Sequence, residues 1–105
     1  MNMKLKLSAV AALVAVSGLA TAQDVQVVKI GHVAPISGAQ AHYGKDNENG
    51  VRMAIEDLNA QKIKIGGKQV RFEIQAEDDA ADPKQGTAAA QKLVDAKVNG
   101  VVGHL

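Results

Sequence analysis

The sequence predicts an α/β fold, the start of a doubly wound parallel sheet, on three observations. Strand-like and helix-like segments alternate in the order strand, helix, strand, helix, strand. One segment carries apolar residues at helical spacing, and another opens with a helix-start signature. A third alternates apolar and polar residues strictly, as a half-buried strand does. Right-handed crossovers then make the strands parallel and put helices on the sheet faces.

The chain has 105 residues, no Cys, no Trp, one Tyr and one Phe, a length that suits one small domain at most. Residues 1–22 read as a secretory signal. Lys4 and Lys6 form a basic start, Leu7 to Leu19 is an uncharged run of mostly Ala, Val and Leu, and Ala20-Thr21-Ala22 offers small residues for cleavage. A membrane anchor needs about 20 apolar residues, and this run is shorter. The expected cut lies between Ala22 and Gln23. With no Cys after the cut, a soluble product without a lipid anchor is expected. Removal of residues 1–22 leaves 10 basic against 11 acidic side chains. No basic face remains to suggest nucleic acid. Without cysteine, no disulfide ties the segment, so its stability must come from burial. The apolar run that reaches Leu105 reads as an interrupted domain.

Val25 to Ala34 is rich in Val and Ile and reads as a largely buried strand. Pro35-Ile36-Ser37-Gly38 ends it, and a loop continues through Tyr43-Gly44. A helix is expected from about Asp46, its cap, to Ala60. Val51, Ala54, Ile55 and Leu58 make one apolar stripe, with Arg52, Glu56 and Asp57 outside it. Ile65-Gly66-Gly67-Lys68 reads as a turn. Gln69 to Ala76 is the alternating strand, with Val70, Phe72 and Ile74 on one side, closed by Glu77-Asp78-Asp79.

Asp82-Pro83-Lys84-Gln85 is the helix-start signature: Asp at the cap, Pro at the first helical position and Gln at the third for a capping box. The helix turns Ala89, Ala90, Leu93 and Val94 inward and stops near Lys97. Asn99-Gly100 is a turn, and Val101-Val102-Gly103-His104-Leu105 opens a third strand. In the usual doubly wound order the second and third strands lie on opposite sides of the first. Ligands bind beyond the carboxyl ends of the strands at that switch point. The Pro35–Gly44 loop borders it.

Several sharper chemistries fail on the residues. Gly38 and Gly44 are separated by five residues, where a phosphate loop has four, and Asp46 stands where Ser or Thr would hold magnesium. Gly31 and Gly38 do not make a dinucleotide fingerprint, and the glycines read as turn residues. Glu77, Asp78, Asp79 and Asp82 lack the looped ligand pattern of a cation site and read as a solvated loop. His32, His42 and His104 fall at no metal-ligand spacing. They are expected to be simply hydrogen-bonded. No nucleophile with a partnered base stands out, so neither catalysis nor a cofactor is expected. Tyr43, in a Gly-flanked loop at the ligand edge, suits either a small-molecule pocket or packing of its loop onto the first helix.

V-K-I-G-H-V-A-P-I-S-G (28–38), Y-G (43–44), G-V-R-M-A-I-E-D-L-N-A (50–60), D-D-A-A-D-P-K-Q (78–85) and V-V-G-H-L (101–105) resemble the type I periplasmic binding proteins of the leucine/isoleucine/valine-binding family. The resemblance covers essentially all of residues 23–105, which it makes the N-terminal part of the first of two hinged lobes. It implies a monomeric periplasmic protein that captures a branched-chain amino acid for a membrane permease and ATPase. It places Tyr43 in the pocket and the principal ligand contacts beyond Leu105. Some relatives carry a disulfide-forming Cys where this chain has Ala81. The alternatives are a binding protein for another small polar solute (an amide, urea or an aromatic acid), a sensor docking on a signalling receptor, and an exported α/β enzyme.

Overall fold

A computed structural model describes residues 24–105. The secretory signal and the Ala22–Gln23 cut lie outside the described residues. The chain forms β1 (Val25–Ala34), α1 (Ala41–Ala60), β2 (Lys64–Ile65), β3 (Lys68–Asp78), α2 (Pro83–Asp95) and β4 (Gly100–Gly103). The sheet order is β2-β3-β1-β4. β1 pairs in parallel with β3 on one side, from Val25↔Gln69 to Ala34↔Asp78. On its other side it pairs in parallel with β4, from Ile30↔Gly100 to Val33↔Gly103. The first strand is therefore central, as the doubly wound reading requires. Among the described residues no helix is long and apolar enough to cross a membrane.

Side-chain alternation along β1 divides its two faces. Val33 faces α2, packing with Ala89 and Leu93, and Val98 closes that cluster. Gly31 lies on the same face because a Cβ there would stand 2.8 Å from a Leu93 methyl. Its role is close helix–sheet packing and not the turn expected of it. Ile30, His32 and Ala34 occupy the α1 face, level with Ile74, Ala76 and Asp78 of β3. Ile55 of α1 is buried there.

Two asparagines complete the sheet. Asn59, at the end of α1, donates from Nδ2 to the Phe72 carbonyl at 2.9 Å and accepts the Phe72 N–H at 2.8 Å. Its side-chain amide thereby acts as one residue of a strand on the open edge of β3. Asn99 does the same beside β1: its N–H donates to the Lys29 carbonyl at 2.8 Å and its Oδ1 accepts the Lys29 N–H at 3.0 Å.

The structure moves several expected boundaries. The Gly66-Gly67 turn, with φ of +59° and +80°, joins β3 to β2, a short antiparallel strand the pattern did not show. Two glycines supply the positive φ values that a two-residue hairpin turn needs. β3 runs on to Asp78, two residues past Ala76. α2 ends at Asp95, and Val94 is exposed, not inward. Ala54 also lies on the exposed side of α1.

The largest shift is the start of α1, at Ala41 and not Asp46. Gln40 holds the cap position without a side-chain cap bond, and Asp46 lies inside the helix. The physical reason is tertiary. Gly44 lies so close to the end of β1 that a Cβ on it would stand 1.7 Å from the Pro35 carbonyl oxygen. Backbone-to-backbone contact fixes the first turn, and only glycine permits that approach.

Candidate functional site

The carboxyl ends of β1, β3 and β4 meet at one edge of the sheet. Pro35–Gln40 leaves β1, residues 79–82 leave β3, and His104 and Leu105 leave β4. Between them lies a cleft of about 300 Å³ lined by Pro35, Gln40, Tyr43, Ala81 and Leu105. Ala81 and Leu105 also border a wider groove of about 580 Å³ that runs along the start of α2, past Asp79, Asp82, Thr87 and His104. The two are neighbouring parts of one recess at the switch point.

Tyr43 is in the first turn of α1, not in the loop. Its ring is 57% exposed and stacks on His42 with centroids 4.0 Å apart and planes tilted by 38°. Tyr43 also lines the smaller cleft.

The acidic stretch is an ordered knot, which corrects its reading as a solvated loop. Asp78 Oδ1 accepts the Ala80 N–H at 2.8 Å and Asp79 Oδ1 accepts the Ala81 N–H at 2.9 Å. Asp79 is 5% exposed, and its own N–H donates to the Ala34 carbonyl. Asp82 Oδ2 accepts the Gln85 N–H at 3.0 Å and caps α2 as expected. The reciprocal half of the capping box is replaced, since the Asp82 N–H donates to the Asp79 carbonyl at 2.8 Å. Ala80 and Ala81 have φ of +48° and +57°, a left-handed conformation that costs about 1–2 kcal/mol per residue. The carboxylate bonds offset that cost. Among the described residues no three His, Asp or Glu side chains are grouped to hold a metal ion.

Asp78 also reaches the loop that leaves β1. Its Oδ1 accepts the Ile36 N–H at 2.8 Å, and its Oδ2 accepts the Ser37 hydroxyl. The Ser37 hydroxyl, then the Ile36 N–H, holds the Asp78 carboxyl below the usual carboxylate range. The sequence marks Ser37 only as a turn residue and gives no sign of Gln40 at the site. Ser37 and Asp78 lie 41 positions apart, so no local pattern joins them.

The histidines are not gathered into one site. His42 stacks on Tyr43 and His104 lines the wider groove. His32 has 0% exposure, and neither ring nitrogen has a partner among the described residues. That overturns the expectation of a simply hydrogen-bonded strand histidine. Its ring is enclosed on the α1 face of the sheet, and burial pushes its pKa down from 6.5. Glu48 opposes that shift and Arg52 adds to it. These two are paired with each other at 3.0 Å on α1.

Residues 27–105 match the family model described as periplasmic binding protein. The chain is 40% identical over 91 residues to the Leu/Ile/Val-binding protein of Escherichia coli (strain K12), covering 87% of this chain and 23% of that protein. It is 43% identical, with the same coverage, to the leucine-specific-binding protein of Salmonella typhimurium. The chain thus spans about a quarter of the length of these relatives. Among solved structures it resembles a branched-chain amino acid transporter substrate-binding protein from Streptococcus pneumoniae in complex with isoleucine. There the TM-score is 0.65 and the identity 31%, over 75% of this chain and 22% of that one. It also resembles a solute-binding protein of an ABC transporter from Rhodopseudomonas palustris BisB5 in complex with 3,4-dihydroxybenzoic acid. Here the TM-score is 0.57 and the identity 33%, over 71% of this chain and 20% of that one. Central β1, the crossovers to both sides and the recess at the strand ends agree with the matched sequence: the chain belongs to the periplasmic binding protein family.

Proposed function

We propose that this chain is the first part of the ligand-capturing subunit of an ABC transporter for branched-chain amino acids, working in the periplasm. Residues 1–22 direct export and are removed between Ala22 and Gln23. Residues 23–105 begin the first of two lobes that close over one amino acid and deliver it to a permease and its ATPase. The protein acts as a monomer and does no chemistry on its cargo.

The observation that carries this reading is the position of Tyr43. An exposed aromatic ring stands in a small cleft at the carboxyl ends of β1 and β4, where open parallel sheets bind ligands. An aromatic face suits an aliphatic side chain, and the Tyr hydroxyl stays free for water or a polar group. Lobe closure then removes the ligand from water, and selectivity comes from shape and hydrogen bonding inside the closed site. Names of relatives at about 40% identity support leucine, isoleucine and valine as the ligand class.

The test is calorimetry on the full-length protein that carries this segment. Leucine, isoleucine and valine are expected to bind, and Tyr43→Ala to weaken them about tenfold, as loss of a buried aromatic contact does. A second reading has a specific observation behind it, since one solved relative holds 3,4-dihydroxybenzoic acid. Tight binding of that aromatic acid, with none of the three amino acids, would replace the first reading by the second.

A further inference from the structure

We propose that Asp78 is a positioning residue that sets the spacing of the two walls of the ligand cleft by tying the β1–α1 loop to the β3–α2 loop through one carboxylate. The proposal rests on the reading of that cleft as the ligand site. One wall is Pro35, Gln40 and Tyr43, the other is Ala81, and Leu105 after β4 completes the lining. Asp78 sits where the β1–β3 ladder ends, paired with Ala34. Beyond that pair, backbone pairing between the two strands is limited to the bond from the Asp79 N–H to the Ala34 carbonyl.

The carboxylate continues the connection past that point. Ile36 N–H and the Ser37 hydroxyl donate to it from one loop, and the Ala80 N–H donates from the other. Oδ1 accepts from Ile36 and Ala80 and Oδ2 from Ser37, so the ionised carboxylate uses both oxygens. The Ile36 and Ser37 anchor lies just before Gln40 and the first turn of α1, which carries Tyr43. The Ala80 anchor lies just before Ala81, in the segment where residues 80 and 81 are both left-handed. One side chain therefore holds both walls without contacting the ligand. Ser37 is the matching group on the far loop.

The experiment compares wild type, Asp78→Ala, Asp78→Asn and Ser37→Ala in the full-length protein, by amide hydrogen exchange without ligand and by leucine titration. Asp78→Ala is expected to speed exchange about tenfold or more across both 36–44 and 79–82, while the β1–β3 ladder keeps its protection. The same variant is expected to raise the Kd for leucine about tenfold at a temperature well below its melting point, a change that lost stability alone does not produce. Ser37→Ala is expected to loosen 36–44 alone. Asp78→Asn, which keeps one acceptor oxygen for Ile36 and Ala80, is expected to restore most of the protection.

Wild-type exchange across 36–44 in Asp78→Ala would overturn the proposal, as would a lowered melting temperature with an unchanged Kd. If Asp78→Ala does not fold, Ser37→Ala decides, and wild-type exchange across 36–44 in that variant overturns it. A wild-type protein that binds none of the three amino acids overturns the functional reading instead. The exchange comparison still decides the role of Asp78 in that case.

Discussion

The two helices begin in opposite ways. α2 starts on a local device: Asp82 accepts the Gln85 N–H, and Pro83 supplies the first helical φ without needing a donor. α1 starts on a tertiary one. Gln40 makes no side-chain cap, and the first turn is held by the contact of Gly44 with the Pro35 backbone and by Asp78 gripping the preceding loop. Their ends are alike, since each is followed by a lysine at positive φ, Lys62 and Lys97. The difference at the starts shows that the helix carrying Tyr43 takes its position from the sheet, whereas the other takes it from its own four residues.

Breaking the tertiary start has the largest expected effect. Gly44→Ala forces a methyl into the space of the Pro35 carbonyl oxygen, and a loss of about 3 kcal/mol is expected in urea denaturation. A loss below about 0.5 kcal/mol would mean that α1 does not depend on that approach, since surface changes stay within such a range. Breaking the local start costs less. Asp82→Ala is expected to lose about 1 kcal/mol, the usual contribution of an N-cap, and Asp82→Ser to recover most of it in the same assay.

Solvent pH probes the α1 side of the sheet, because α1 covers the buried His32. Burial lowers the pKa of His32 below its unfolded value of 6.5. The unfolded chain therefore takes up the proton first as pH falls. The contribution of neutral His32 is complete above about pH 6.5 and declines as pH drops from there toward the lowered folded value. Stability measured by denaturant between pH 7.5 and 5.5 is expected to fall less steeply in His32→Leu than in wild type. Equal slopes would show that the ring gains its proton freely in the folded protein. The smallest effect is expected at Asp46. Asp46→Ala is expected to change stability by less than about 0.5 kcal/mol, because the helix begins five residues earlier and this side chain caps nothing.

The same contrast explains how much could be read in advance. β1, the α2 start and the alternation of β3 rest on signals within a few residues, and the strand order follows from the handedness and order rules of doubly wound sheets. They stand in the structure close to their expected places. The α1 start was placed at the first capping residue in range, and Gly44 was taken for a turn glycine. Its actual role depends on Pro35, nine positions back along a chain that has folded over on itself. At the candidate site, the sheet edge was legible from topology, and Tyr43 stands at that edge, in the first turn of α1. The Asp78 bridge was not legible, because an acidic run looks the same in sequence whether solvated or knotted. Val94 was assigned inward by spacing alone, yet the inward face of α2 is set by Gly31 and Val33 beneath Leu93.

By itself the sequence determined the α/β class, the order of the elements, the capped start of α2 and an aromatic residue near the ligand edge. Periodicity, capping and turn chemistry act over a few residues and depend little on the rest of the chain. Only the tertiary structure decided where α1 begins, that His32 is enclosed with no hydrogen-bond partner among the described residues, and that Asp78 joins two loops. Each of these is settled by atoms far apart in sequence, through close backbone approach, exclusion of water, or a carboxylate shared between strands.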